Sequence, residues 1–214
     1  MSELSQTCED IARIAKSMFD RGLTPGSTGN LSVKLSDGSF LITPSGSSMG
    51  SLEPSKISHL SPTLELLDGD PPTKEIPLHM AFYETRPSAK AVVHLHSTYA
   101  TLLSMLPDID PDNVLPPMTP YAIMLLGKVK LLPFFLPGDN GMGQSVRDLN
   151  GEHAAVILAN HGPVVSGRSL QKAAYAYEEL EETAKLAVLA RGLNPRLLTQ
   201  RQVDLIERKY PVDK

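Results

Sequence analysis

A short apolar run that ends in two histidines, residues 91–96 with the sequence AVVHLH, constrains the fold more than any other stretch. Apolar residues followed by the alternation of His94, Leu95 and His96 are typical of a buried β-strand. Since successive side chains of a strand point to opposite faces, His94 and His96 are predicted to lie on one face with Leu95 on the other. Three histidines with an open fourth position are a known catalytic zinc arrangement, and two neutral imidazoles supply most of it. The alternative at this point is a strand end whose histidines only form hydrogen bonds.

The bulk properties of the chain indicate a globular protein with a substantial core. The 214 residues suit one domain, which we expect to span residues 1–214, and the hydrophobic content of 41% is ordinary for such a domain. The formal net charge of −4 argues against nucleic acid or an anionic membrane as the main partner. No apolar run approaches the roughly 20 residues needed to span a bilayer, the N-terminus lacks a secretory signal pattern, and the single cysteine, Cys8, cannot form an internal disulfide. We therefore expect a cytoplasmic protein without a membrane partner.

Hydrophobic periodicity predicts alternating helices and strands. Helices are expected over about residues 6–21, 73–85, 97–105, 143–149, 169–191 and 199–209. Strands are expected over about residues 31–35, 40–42, 91–96, 121–126, 130–135 and 154–159. An Asp-Gly pair at positions 37 and 38 predicts a hairpin turn between the first two strands. The solvated side of the long helix at 169–191 is expected to carry its four glutamates, at positions 178, 179, 181 and 182.

Two loops rich in small residues flank the predicted hairpin, residues 24–30 with the sequence TPGSTGN and residues 43–48 with the sequence TPSGSS. Backbone amides freed by glycine, together with serine and threonine hydroxyls, can form a concave anion site. Because the loops stand at neighbouring ends of adjacent strands, we expect them to lie side by side and to bind a phosphate group. The alternative is that they are two polar turns.

Two further residues complete a constellation with His94 and His96. His161 follows an apolar strand and stands beside a glycine that allows close backbone approach. Glu75 lies near the start of a predicted helix. A metal with three histidine ligands can polarise a substrate carbonyl and stabilise an enediolate. Glu75 can then either ligate the metal or move a proton, the latter most effectively if burial raises its pKa towards neutrality.

The motifs that carry this chemistry resemble those of the class II aldolase/adducin family. They are residues 28–33 (TGNLSV), residues 42–46 (ITPSG), Glu75, residues 94–96 (HLH) and residues 160–162 (NHG), in an order and spacing that match over about residues 24–191. The resemblance implies an α/β fold with three layers, α/β/α, around a mainly antiparallel sheet, and assembly as a homotetramer.

The resemblance also implies the ligands of a metal. His94, His96 and His161 would bind a divalent cation, commonly zinc, with manganese, cobalt or iron as alternatives. Glu75 would be the acid/base and, in some members of the family, a fourth ligand. A C-terminal residue such as Tyr210 could reach the site of a neighbouring subunit, with a frayed tail as the alternative.

Substrate contacts follow from the same resemblance. Gly29 and Asn30 would contact the phosphate of the substrate, and Ser45 and Gly46 would form the second edge of that pocket.

Three more positions bear on the substrate. The pair before the glutamate, Thr73 and Lys74, departs from the small hydroxyl residues that are usual in the sugar-phosphate aldolases. A cation at position 74 suits a substrate with more negative charge, and an exposed helix-start lysine is the alternative. Tyr121 aligns with a family tyrosine that helps to protonate the substrate, with a core or interface tyrosine as the alternative.

The closer resemblance is to the family members that decarboxylate 3-oxo-tetronate 4-phosphates. It rests on residues 46–50 (GSSMG), 70–75 (DPPTKE), 94–98 (HLHST), 115–121 (LPPMTPY) and 158–163 (LANHGP). It implies a metal-dependent carbon–carbon lyase that releases CO2 and dihydroxyacetone phosphate from a small phosphorylated sugar acid. The alternatives on the same scaffold are a sugar-phosphate aldolase of the fuculose-phosphate type, a pentulose-phosphate 4-epimerase and a sugar-phosphate dehydratase. A non-enzymatic module like the adducin head is disfavoured by the intact set of histidines and Glu75.

Overall fold

The computed structural model describes residues 2–212, which contain both helices and strands. Its α-helices are α1 Glu3–Asp20, α2 Ile76–Thr85, α3 Thr98–Ser104, α4 Pro120–Leu126, α5 Asn140–Arg147, α6 Leu170–Leu189 and α7 Gln200–Lys209. Its strands are β1 Asn30–Lys34, β2 Phe40–Ile42, β3 Ser58–Leu60, β4 Leu66–Asp68, β5 Ala91–His94, β6 Val129–Leu132, β7 Ala155–Leu158 and β8 Gly162–Gly167. The expected domain limits at residues 1 and 214 lie outside the described residues. No helix of the described part is long and apolar enough to cross a membrane.

The strands form one sheet in the order β4-β3-β2-β1-β5-β8-β7-β6. Every neighbouring pair is antiparallel except β6 and β7, which run parallel. The predicted hairpin is the β1–β2 pair, in which Val33 lies opposite Leu41. In the centre of the sheet, His94 of β5 lies opposite Asn30 of β1 on one side and opposite Val164 of β8 on the other. The middle of the sheet therefore brings together segments that are distant in sequence.

Apolar side chains alternate between the two faces of the sheet and build a core on each. Along β5 and β7, Val93 and Ile157 belong to one core, whereas Val92 and Val156 belong to the other. Helices α1, α3, α4 and α6 cover the first face, and α2 and α5 cover the second. This three-layer α/β/α arrangement around a mainly antiparallel sheet confirms the predicted fold class.

Residues 121–126, which the apolar pattern predicts as a strand, form most of helix α4 instead. The hydroxyl of Thr119 caps this helix by accepting a hydrogen bond from the Ala122 N–H, and Pro120 occupies the first turn, where a missing N–H costs little. Gly127, with a φ of 63°, ends the helix. A short apolar run does not distinguish a strand from a buried helix, so the capping residues decide the outcome.

Strand β8 has no counterpart in the sequence prediction. Its sequence, GPVVSG, begins with glycine and proline, which usually mark a break and not a central strand. The structure places β8 between β5 and β7, with Pro163 opposite Ile157. The adjacent strand is shorter than predicted: it was expected over residues 91–96 but ends at His94.

Candidate metal and substrate site

The three predicted metal ligands come from neighbouring segments at one end of the sheet. His94 is the last residue of β5, and His96 follows two residues later, ahead of α3. His161 stands in the tight turn between β7 and β8, where Leu158 and Gly162 are paired. The imidazole centroids are 5.1 Å apart for His94 and His96, 4.9 Å for His94 and His161, and 4.5 Å for His96 and His161. The structure thus brings together the set that the sequence predicts.

Two glycines permit the close backbone approach that builds this cluster. At Gly29, φ is +84° and a Cβ would lie 2.8 Å from the His94 carbonyl oxygen. At Gly162, a Cβ would lie 2.6 Å from the Leu95 carbonyl oxygen. A side chain at either position would push β1 or β8 away from the end of β5.

The nitrogen atoms of the cluster are suited to hold a divalent cation. One ligand nitrogen from each of His94, His96 and His161 lies within 4.8 Å of the others, and the His96 and His161 Nε2 atoms are 3.0 Å apart. His94 Nδ1 is 2.9 Å from the Pro163 carbonyl oxygen. Because a carbonyl only accepts, Nδ1 carries the proton and Nε2 presents a lone pair to the cluster. That buried Nε2 has no hydrogen-bond partner among residues 2–212, as expected for an atom meant to bind a metal.

Electrostatics keep the two more accessible histidines neutral at physiological pH. Burial lowers the pKa of His96 to about 3. Burial also lowers the pKa of His161 to about 4. Metal ligation requires the neutral imidazole, so neither side chain must lose a proton before a cation binds.

Glu75 lies against this cluster. It is the N-cap residue of α2, but its carboxylate does not cap the helix. Instead Oε2 lies 3.5 Å from His94 Nε2 and Oε1 lies 3.7 Å from His161 Nε2, and Asn30 Nδ2 donates a hydrogen bond of 2.7 Å to Oε2. Burial raises the pKa of Glu75, but the polar groups around it, among them the hydrogen-bond donor Asn30, lower it more, so its pKa lies below the ordinary value. The rise towards neutrality considered from the sequence does not occur, and Glu75 is a carboxylate at neutral pH.

A cleft of about 380 Å³ connects the cluster to the two loops rich in small residues. Its lining contains nearly all of the predicted site residues: Gly29, Asn30, Ser45, Gly46, Thr73, Lys74, Glu75, His96 and His161. His94 lies beneath it and is fully buried. The two loops therefore do lie side by side, next to the histidines.

Tyr121 is the predicted site residue that the structure brings neither to the cleft nor to the histidine cluster of its own chain. It lies in α4, is 60% exposed and is not among the residues that line the cleft.

The cleft also contains residues that the sequence analysis did not single out. Ser27 and Thr28 belong to the first loop, and Pro137 and Gly138 also line the cleft, with Gly138 packed beside Lys74. The first pair could have been predicted, because both residues belong to the loop at 24–30. The second pair belongs to the turn between β6 and α5, whose position next to Lys74 depends on tertiary packing.

Glu181 also differs from its prediction. It is buried, not solvated, and its carboxylate accepts hydrogen bonds from Ser97 Oγ, Tyr99 N and Ala100 N at 2.7, 2.8 and 2.9 Å. These donors form the start of α3, immediately after His96. Glu181 thus fixes the segment that carries one of the metal-ligand candidates.

Comparison with known proteins agrees with this geometry. The family profile described as "Class II Aldolase and Adducin N-terminal domain" matches residues 9–188. The chain belongs to the class II aldolase/adducin family. Enzymes that carry the class II aldolase name are metal-dependent, and the cluster of three histidines in this member can hold a metal ion.

Individual members of the family resemble this chain over most of its length. The chain is 48% identical over 195 residues to 3-oxo-tetronate 4-phosphate decarboxylase of Escherichia coli strain K12. The aligned region covers 91% of this chain and 92% of that relative. It is 32% identical over 185 residues to L-fuculose phosphate aldolase of Methanococcus maripaludis, covering 86% of this chain and 97% of the aldolase. The crystal structure of YgbL from Escherichia coli has a TM-score of 0.92 at 46% identity, covering 96% of this chain and 99% of that one. The predicted resemblance is confirmed.

Proposed function

We propose that this protein decarboxylates a 3-oxo-tetronate 4-phosphate to dihydroxyacetone phosphate and CO2. The observation that carries the proposal is the 48% identity, over 91% of the chain, with a decarboxylase of that name. The cleft supports it, because one cavity combines a histidine cluster, a carboxylate and loops suited to a phosphate.

The chemistry of the substrate explains why such a cleft is sufficient. The substrate is a β-keto acid, so breaking the bond between C1 and C2 releases CO2 and leaves an electron pair on C2 in conjugation with the C3 carbonyl. We infer that His94, His96 and His161 hold a divalent cation, zinc in the first place, with manganese, cobalt and iron as alternatives. When bound, the cation would act as a Lewis acid towards the negative charge that develops on the substrate oxygens.

Glu75 supplies the proton transfers in this proposal, and it is also a candidate fourth ligand. It enters the reaction as a carboxylate, because its pKa lies below the ordinary value. It can therefore either accept the C2 hydroxyl proton or, after taking up a proton from solvent, deliver it to C2 once CO2 has left. The loss of CO2 from a carboxylate consumes one proton, which solvent supplies. The hydrogen bond from Asn30 Nδ2 to Oε2 holds the carboxylate next to the histidines.

The far end of the substrate is held by the loops. Backbone amides around Gly29 and Gly46, together with the hydroxyls of Ser45 and Thr73, would receive the phosphate. Asn30 and Lys74 line the same part of the cleft. A phosphate fixed there places the scissile bond beside Glu75 and the histidines, which removes the entropic cost of aligning the reacting groups.

A panel of substrates tests the proposed reaction. Purified protein supplied with zinc, manganese or cobalt is given the 3-oxo-tetronate 4-phosphate and, in separate reactions, fuculose 1-phosphate and ribulose 5-phosphate. We expect rapid CO2 release from the keto acid and little turnover of the two ketoses. Efficient aldol cleavage or epimerisation without decarboxylation would assign the chain to the alternative functions, and no turnover with any metal would favour an adducin-like module.

Lys74 gives the proposed phosphate site a separate test. Replacing Lys74 by serine, the residue type usual in the sugar-phosphate aldolases, is expected to raise KM and to lower kcat/KM about 10- to 100-fold, because a hydrogen bond to a charged group contributes about 1.5–3 kcal/mol. Lys74 is exposed at the cleft, so the thermal unfolding temperature should hardly change. The matched control is Lys128→Ser, an exposed lysine away from the cleft. Unchanged kinetic constants in the Lys74 variant would remove this residue from the site.

We also infer a homotetramer whose active sites lie near subunit interfaces. Large apolar side chains that are exposed in the single chain support it, among them Phe134 and Leu136, which are 60% and 67% exposed. Tyr121 and Tyr210 are exposed as well, and each could serve a site only across an interface, Tyr121 as a secondary proton donor. Light scattering at working concentration should give four times the chain mass, and a monomer would contradict the inference. The buried free thiol of Cys8 suits the reducing cytoplasm in which we place the enzyme.

A further inference from the structure

A chain of buried polar side chains runs from Glu75 into the core between α2 and the sheet. Glu75, His79 and Tyr83 are four residues apart and share one face of α2. Asn30 and Ser32 are two residues apart on β1 and face the same side of the sheet. All five side chains are buried, and His79 and Ser32 are fully buried. Polar groups in such a position must be hydrogen-bonded to one another, or their burial is costly.

The hydrogen bonds of this relay have one direction only. The Glu75 carboxylate only accepts, so the Asn30 NH2 group faces it, and the amide oxygen is left 2.5 Å from His79 Nε2, where it must accept from the Nε2–H. Burial lowers the pKa of His79 to about 3, so the ring is neutral and its Nδ1 must accept. Ser32 Oγ, 2.7 Å from that Nδ1, therefore donates to it, and accepts in turn from the Tyr83 hydroxyl at 2.8 Å.

The relay then opposes a flip of the Asn30 amide. Its oxygen accepts from His79, and its NH2 group donates to Glu75 Oε2 at 2.7 Å and lies 3.3 Å from Thr73 Oγ1. A flipped amide would place its oxygen against the Glu75 carboxylate and its NH2 group against the His79 N–H. Both contacts would be repulsive, so the buried relay excludes the flip.

We propose that His79, Ser32 and Tyr83 are positioning residues, which hold the Asn30 amide in the one orientation that fastens the Glu75 carboxylate beside the histidine cluster. None of the three touches the cleft, and they act only through Asn30 and Glu75. The kinetic consequence rests on the proposed function, whereas the tautomer of His79 does not.

Substitutions at His79 separate positioning from packing. Leucine removes both ring nitrogens, whereas glutamine keeps an N–H that can donate to Asn30 Oδ1. We expect His79→Leu to lower kcat about 10- to 100-fold, as is typical for residues behind a metal site, with a smaller change in KM. His79→Gln is expected to recover most of the lost kcat. The milder variant Tyr83→Phe, which loses only the hydroxyl at the end of the relay, should fold in any case and show a smaller loss in the same direction.

The control for stability is Met80→Ala, a buried residue on the same helix that lies off the polar face. The unfolding temperatures of the Met80→Ala and His79→Leu variants are compared, so that the kcat of the two can be judged at a similar loss of stability. If the matched control loses as much kcat as His79→Leu, or if His79→Gln is no better than His79→Leu, the positioning role is wrong.

A measurement without substrate or metal tests the relay itself. Nitrogen-15 NMR of the imidazole groups in the metal-free protein at pH 7 should show His79 as the neutral Nε2–H tautomer. The Nδ1–H tautomer or a doubly protonated ring would overturn the proposal. A protein that shows the expected tautomer but does not decarboxylate the keto acid would contradict the proposed function and leave the relay intact.

Discussion

Replacing His94 by alanine is expected to remove bound metal and to abolish activity. The substitution deletes the one imidazole of the cluster that is fully buried and already oriented, with Nδ1–H bound to the Pro163 carbonyl and Nε2 presenting its lone pair. His96 and His161 are then the only histidines left in the cluster, so the site has lost one of its three nitrogen ligands, the one held in place by the fold. The loss of activity should exceed the roughly 10- to 100-fold loss that is usual when a residue hydrogen-bonded to a metal ligand is replaced. The measurements are the metal content after gel filtration and the rate of CO2 release from the keto acid.

The control for this experiment is His153→Ala, because His153 lies outside the cluster and its Nδ1 bonds to the Lys128 carbonyl. That variant should keep the full metal content and rate. Thermal unfolding shows whether the His94 variant has folded. A folded His94→Ala protein with unchanged metal content, or a metal-free wild-type protein with full activity, would disprove the predicted site.

Replacing Glu181 by alanine is expected to lower the free energy of unfolding by about 3 kcal/mol. The substitution leaves the Ser97 hydroxyl and the Ala100 N–H buried without their acceptor, and each unsatisfied buried donor costs about 1–3 kcal/mol. The Tyr177 hydroxyl also donates to Ser97 Oγ, so a second side chain of α6 is disturbed when Ser97 loses its acceptor. Since Ser97 directly follows His96, weaker metal binding should accompany the loss of stability. Urea denaturation and metal titration measure the two effects.

The neighbouring Glu182 is the matched control. Its side chain is 59% exposed and lies 3.5 Å from Lys185 in an ion pair of adjacent helix turns. Glu182→Ala should change the free energy of unfolding by no more than about 0.5 kcal/mol. Similar losses for the two variants would show that the hydrogen bonds of Glu181 do not stabilise the start of α3.

The local sequence determined the parts of this protein whose signal lies within a few residues. The hairpin followed from alternating side chains and an Asp-Gly turn, and the amphipathic helices followed from their buried stripes. The alternation in residues 94–96 placed two histidines together, and the two loops rich in small residues lie side by side as predicted. In each case the chemistry and the spacing are contained in one short segment. The order of the motifs then identified the family, and with it His161 and Glu75 as partners of the same cluster.

Tertiary contacts decided the rest, because their causes lie on segments far apart in the chain. Strand β8 exists because β5 and β7 offer backbone partners on both sides, which outweighs the poor strand propensity of Pro163. Glu181 is buried because the start of α3 offers it three hydrogen-bond donors. The run of glutamates around it in the sequence had predicted an exposed helix face. Helix periodicity places Glu75, His79 and Tyr83 on one face, but only β1 packed against that face turns them into a directed relay. A sequence shows which groups a segment carries, and the packing of other segments fixes whether each group meets water, a partner or a metal.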